Sequence, residues 1–191
     1  MKRFSFYFTA ISIFTSLMLM SCGGAQSGST NSSSDSFGDD NSPPPAAMEE
    51  YNYFMEQAGL ALAEQRLEDA LDYYLSAAET LEATGKPSIK EADAHYEAAQ
   101  IAYQKYQKEL AVQEYEKAAA IYLRFSGNAQ NKAAVVYTNL GVVWKELHEK
   151  SKARTCWQQA LEIYTNLGAN DQNKVHIEKI QQNIRDLDEG Y

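Results

Sequence analysis

Through residues 51–188, small and large apolar residues stand among polar ones at offsets of three and four, the spacing that gathers them on one face of a helix. One stretch of this pattern recurs. Ala70, Tyr74 and Ala77 are followed by Ala111, Tyr115 and Ala118, then by Ala153, Trp157 and Ala160, so the leading alanines keep an almost constant interval. Leu81, Tyr122 and Tyr164 keep the same interval, as do Gly85, Gly127 and Gly168. Ahead of each set runs a second helical stretch: Phe54, Ala58 and Ala61; His95, Ala98, Ala99 and Ala102; Tyr137, Leu140, Gly141 and Trp144. The small residues allow a partner helix to come close, and the aromatic fills the space beside them. The pattern predicts three helix hairpins, at about 51–84, 92–125 and 134–167, joined at glycines that tolerate positive φ. Beyond them Val175, Ile177, Ile180, Ile184 and Leu187 predict a capping helix over 171–188 that turns Lys179, Gln182 and Arg185 to solvent. A single unit of this length cannot bury a core, so neighbours must stack into an all-α helical-repeat solenoid over 48–188 and leave a curved surface suited to holding another protein.

These positions carry a resemblance. An aromatic or aliphatic residue, a small residue, another large residue, then Ala, an aromatic and Ala in a second helix is similar to the signature of the tetratricopeptide repeat (TPR) family. The third copy fits best, through Tyr137, Leu140, Gly141, Trp144, Ala153, Trp157 and Ala160. The second places His95 where a large apolar residue is usual, and the first has Gln57 and Ala61 at such places. The period is longer than that of the ordinary TPR unit, resembling the subclass with longer helices and connections found in adaptors of the kinesin light chain type. The resemblance implies that the first helix of each hairpin lines a concave face. On this chain that face carries Asn52, Met55, Gly59 and Leu62, then Asp93, Tyr96, Gln100 and Tyr103, then Val135, Thr138, Val142 and Lys145. Asn52, Met55, Leu62, Tyr96, Gln100, Tyr103, Thr138, Val142 and Lys145 are the expected peptide-binding groove, with Tyr96 and Tyr103 either anchors for a partner or packing residues between helices. The carboxylate clamp of chaperone-binding relatives is not reproduced, since Met55 and Gly59 stand at its places.

A different material precedes the repeats. Lys2 and Arg3 are followed by an apolar run over 4–20 broken only by Ser and Thr, then by Ser21 and Cys22. This reads as a secretory signal over 1–21. Its end, with Leu19 three places before Cys22, resembles the lipobox of bacterial lipoproteins, which implies acylation of Cys22; a plain cleaved signal and an uncleaved membrane helix are the alternatives. Residues 22–47, rich in Gly, Ser, Asn and Asp and ending in a proline run, read as a flexible tether. Gly23 after the modified Cys implies, by resemblance to enteric lipoproteins, the outer membrane, with the domain facing the periplasm.

Charge and chemistry narrow the classes. The chain has 17 basic and 26 acidic residues, a net charge of −9. Nucleic-acid binding, which needs a cationic face, is disfavoured. His95, His148 and His176 fall in different helical units, His148-Glu149 lacks the second His of a zinc protease helix, and neither a nucleophile elbow nor a phosphate loop occurs. No cofactor, metal or catalytic residue is expected. His95 reads as a packed, hydrogen-bonded core histidine, and Cys156 beside Trp157 as a small packing residue or, alternatively, a reactive thiol. The expected role is a non-enzymatic adaptor or scaffold for a protein or peptide partner; a regulatory subunit of a membrane enzyme or sensor and a homo-oligomeric structural component are the alternatives.

Overall fold

The computed structural model describes residues 42–168 and 170–189. Among them are seven helices and no strand: α1 (Pro45–Ala63), α2 (Leu67–Glu82), α3 (Ile89–Gln104), α4 (Lys108–Tyr122), α5 (Asn128–Glu146), α6 (Lys150–Asn166) and α7 (Asp171–Glu189). Each packs chiefly on the helix before and the helix after it, so α1/α2, α3/α4 and α5/α6 are hairpins in a stack and α7 closes the end against α6. The expected signal, Cys22 and most of the tether lie outside the described residues. No helix among the described residues is long and apolar enough to cross a membrane.

The first helix starts earlier than composition suggests. Pro44 caps it and Pro45 opens it, a position where a missing N–H costs nothing, so residues 45–47 belong to α1 rather than to the tether. α3 begins at Ile89 because Ser88 forms a capping box: its Oγ accepts from the Glu91 N–H at 3.1 Å while its own N–H donates to Glu91 Oε2 at 3.2 Å. α5 starts at Asn128, directly after Gly127 at φ 68°.

The repeated alanines are the core. Ala70, Ala77, Ala111, Ala118, Ala153 and Ala160 are fully buried, and Tyr74, Tyr115 and Trp157 fill the space between them. Gly141 shows why the small position matters. A Cβ added there would meet the Trp157 indole at 2.3 to 2.8 Å, closer than packed atoms approach, and the indole N–H donates to the Thr138 carbonyl at 3.1 Å. In the capping helix Ile180 and Leu187 are buried and Ile177 and Ile184 partly so, each fully buried side chain contributing about 1.5–3 kcal/mol. Val175 is 65 % exposed, a departure from the apolar stripe expected of it.

The three turns inside the hairpins share one geometry. Gln65, Tyr106 and His148 have φ of 60°, 61° and 62°. In each turn the next N–H reaches back into the preceding helix, from Arg66 to Ala61, Gln107 to Ala102 and Glu149 to Trp144, at 2.8 to 2.9 Å. This is a Schellman closure with a side chain where glycine is usual.

Candidate functional site

The first helices of successive hairpins, joined by α7, enclose a cavity of about 590 Å³. Tyr51 and Met55 of α1, Asp93, Tyr96 and Glu97 of α3, Asn131, Lys132 and Val135 of α5, and Gln172 and His176 of α7 line it. Tyr122 and Tyr164 complete the wall from the C-terminal ends of α4 and α6. The arrangement follows from the stack: first helices present their N-terminal halves to it, and second helices deliver their last turn.

Its polar groups are organised around Asp93. Lys132 Nζ donates to Asp93 Oδ1 at 2.5 Å, and the Tyr122 hydroxyl donates to the same oxygen. Lys132 also lies 5.6 Å from the centre of the Tyr122 ring. Glu97, one turn further along α3, accepts from Gln100 Nε2 at 3.1 Å. Burial raises the Glu97 carboxyl above the ordinary range and the charge of Asp93 raises it further, against Lys132. Burial, with Asp93 and Glu97 adding, pushes the Tyr51 phenol up to about 12. At the far wall the Tyr164 ring stacks on His176 at 5.0 Å between centres. Tyr164 is 2 % exposed, and its hydroxyl has no hydrogen-bond partner among the described residues. The adjoining α7 terminus is held by Asn173, whose N–H donates to Asn170 Oδ1 and whose Nδ2 donates to the Gly168 carbonyl, both at 2.8 Å.

Of the expected groove, Met55 and Tyr96 line this cavity. Asn52 is exposed. Leu62 and Tyr103 lean on the main core, and Val142 on the core under α7. Gln100 is tied to Glu97, Thr138 donates to the Ala134 carbonyl at 2.8 Å, and Lys145 is half-buried. Tyr96 and Tyr103 both reach the next first helix: the Tyr96 hydroxyl accepts from Asn139 Nδ2 at 3.4 Å, and that of Tyr103 donates to Glu146 at 2.5 Å. The Tyr96 ring also lies 5.9 Å from Tyr115. Sequence reasoning missed Tyr122 and Tyr164 as site residues. The available signal was a hydroxyl-bearing ring twice in a slot that Leu81 fills with carbon alone.

Away from the cavity, His95 is the packed histidine expected, with Nδ1 2.6 Å from Glu114 Oε2. Cys156 is buried; that burial, with Glu116 adding, pushes its thiol up to about 11, so it carries no thiolate at neutral pH.

A family model places the fold in context. The model described as SNAP, soluble NSF attachment protein, matches residues 26–188, and the chain belongs to that family. No curated protein matches the sequence. Among solved structures the chain is similar to BtubC (BKLC) from P. vanneervenii, with a TM-score of 0.58 and 24 % identity over 72 % of this chain and 57 % of that one. It thus spans little more than half the length of BtubC. It is also similar to the Sgt2 TPR domain from Aspergillus fumigatus, with a TM-score of 0.52 and 17 % identity over 78 % of this chain and 86 % of that domain. The fold is therefore a TPR-like helical repeat, as the sequence pattern implies, within the SNAP family.

Proposed function

We propose that the chain is a non-enzymatic adaptor of the bacterial cell envelope, anchored through lipid on Cys22 and holding a protein partner in the groove across α1, α3, α5 and α7. The observation that carries the reading is the cavity itself: about 590 Å³, walled by tyrosines and polar side chains supplied by successive repeats. Clefts of this size with a few convergent polar groups are where proteins take up ligands and peptide segments. The family supports an adaptor, since repeats of this kind act by binding other proteins. The apolar run before Cys22 supports export and acylation, and Gly23 supports the outer membrane as destination, with the domain facing the periplasm.

A photo-crosslinking residue at Val135, inside the cavity, tests this in cells against the same residue at exposed Glu162 of α6. A discrete adduct from Val135 alone is expected, and Cys22→Ala should abolish lipid labelling and stop processing at that site. An adduct of twice the chain's own mass would turn the reading to a homo-oligomer. Absence of any adduct, or a Cys22 variant that both sediments with membranes and keeps the processed mass of the wild type, would overturn it.

A further inference from the structure

Taking the groove as the binding face, as proposed above, we propose that its cavity receives a lysine or arginine side chain from an extended segment of the partner, with Glu97 as counter-ion and tyrosine rings as walls. The two carboxylates of α3 differ in one respect. Asp93 is already satisfied, by Lys132 at 2.5 Å and by the Tyr122 hydroxyl. Glu97 makes no ion pair among the described residues: it accepts from the neutral amide of Gln100, and Lys132, paired with Asp93, acts on it only from beyond ion-pair distance. A half-buried carboxylate beside a second one, facing phenols, is a group that gains most from an incoming cation.

The walls suit such a cation. The rings of this cavity already accept ammonium groups: Lys132 lies 5.6 Å from the Tyr122 centre and Lys90 lies 5.3 Å from that of Tyr51. The buried Tyr164 hydroxyl, without a partner among the described residues, supplies an acceptor for an N–H that no side chain there provides. An acidic side chain would meet Asp93 and Glu97 with like charge. An apolar one would strip water from Glu97 and give it nothing in return. The volume exceeds that of one side chain and leaves room for the segment's neighbouring residues.

The test titrates the peptides (Ala-Lys)4 and (Ala-Glu)4 into the full chain in non-ionic detergent, following tyrosine ring signals by NMR. The basic peptide should move the signals of Tyr96 and Tyr164, and the acidic one should not. Glu97→Gln should weaken the basic peptide about tenfold, whereas Glu162→Gln, which removes the same charge from an exposed position, should change it less than about twofold. Lys132→Gln, by freeing Asp93, should strengthen it about threefold. Equal effects of the two glutamate variants would reduce the attraction to net charge and overturn the proposal, as would binding of the acidic peptide to the same tyrosines. A Val135 adduct whose yield is unchanged by Glu97→Gln would overturn the basic-side-chain assignment while leaving the adaptor standing; no adduct in the wild type would remove the adaptor itself.

Discussion

In the second hairpin, His95 and Glu114 meet across the helix pair at 2.6 Å, with side chains 2 % and 5 % exposed. At the corresponding places of the third hairpin, one repeat further on, stand Tyr137 and Cys156. In the first, one repeat earlier, Phe54 and Tyr73 pack with ring centres 6.4 Å apart. One slot of the repeat is thus filled by two rings, by an imidazole and a carboxylate, or by a ring and a thiol. The backbone spacing fixes the distance across the slot and leaves its chemistry open. The choices are unequal in energy, because a buried ionisable pair must recover a desolvation cost that rings never incur.

Breaking the pair should have the largest effect. His95→Leu leaves Glu114 buried with the half-exposed Lys117 at 3.6 Å as its remaining counter-charge and should cost about 3 kcal/mol in urea unfolding. Installing the first hairpin's pair, His95→Phe with Glu114→Tyr, should recover most of that loss; a double variant as unstable as the single one would show that the slots are not interchangeable. Acid separates the same proteins. Burial pushes the Glu114 carboxyl up, but its hydrogen bond to His95, the imidazole's charge and Lys117 at 3.6 Å outweigh this and hold it below 4.5. A folded pKa below the unfolded one means stability that is present above pH 4.5 and lost as pH falls through the folded value. Between about pH 5 and about pH 3 the wild type should therefore lose more stability than the double variant, measured by urea midpoint at each pH.

A second comparison within the same two hairpins has a smaller effect. Gly141 in the third and Ala99 in the second occupy one repeat position, opposite Trp157 and Tyr115. The larger ring demands the smaller neighbour. Gly141→Ala puts a methyl carbon 2.3 Å from the indole nitrogen and should cost about 1–3 kcal/mol, despite the better helix propensity of Ala. Ala99→Gly in the second hairpin should cost about 1 kcal/mol, from propensity and lost packing. Calorimetry that finds Gly141→Ala neutral would mean that Trp157 has room to move.

Such pairings explain what the sequence made legible. The hairpins, their glycine joints at φ of 67° to 90° and the capping helix follow from residues that recur, and recurrence averages out local exceptions. Glu114 as the partner of His95 did not emerge, because it is a single-copy substitution on the other helix of its hairpin, across a turn. The site was less legible than the fold. The expected groove ran along the first helices to their C-terminal ends, at Leu62, Tyr103 and Lys145, whereas the cavity lies toward their N-terminal halves, where Tyr122, Tyr164 and α7 come in from other elements. Which side chains converge there depends on the stagger of helices in the stack, and that stagger has no signature in periodicity. The turns inside the hairpins were hidden for a different reason: without glycine, nothing in Gln65, Tyr106 or His148 announces a left-handed residue.

The smallest effect expected distinguishes these turns from the joints between hairpins. Gly85, Gly127 and Gly168 adopt positive φ at no steric cost, while Gln65, Tyr106 and His148 do so with a Cβ. Tyr106 is the cleanest probe, since it is 85 % exposed and its removal uncovers no packed surface. Tyr106→Gly relieves a left-handed penalty of about 1–2 kcal/mol and adds about 0.5–1 kcal/mol of backbone entropy to the unfolded chain. The difference, about 0.5 kcal/mol of stabilisation, should raise the urea midpoint slightly without changing the slope. Tyr106→Ala keeps the Cβ and should give no such gain. A fall in stability for the glycine variant would mean that the exposed ring contributes a contact worth more than the strain it imposes.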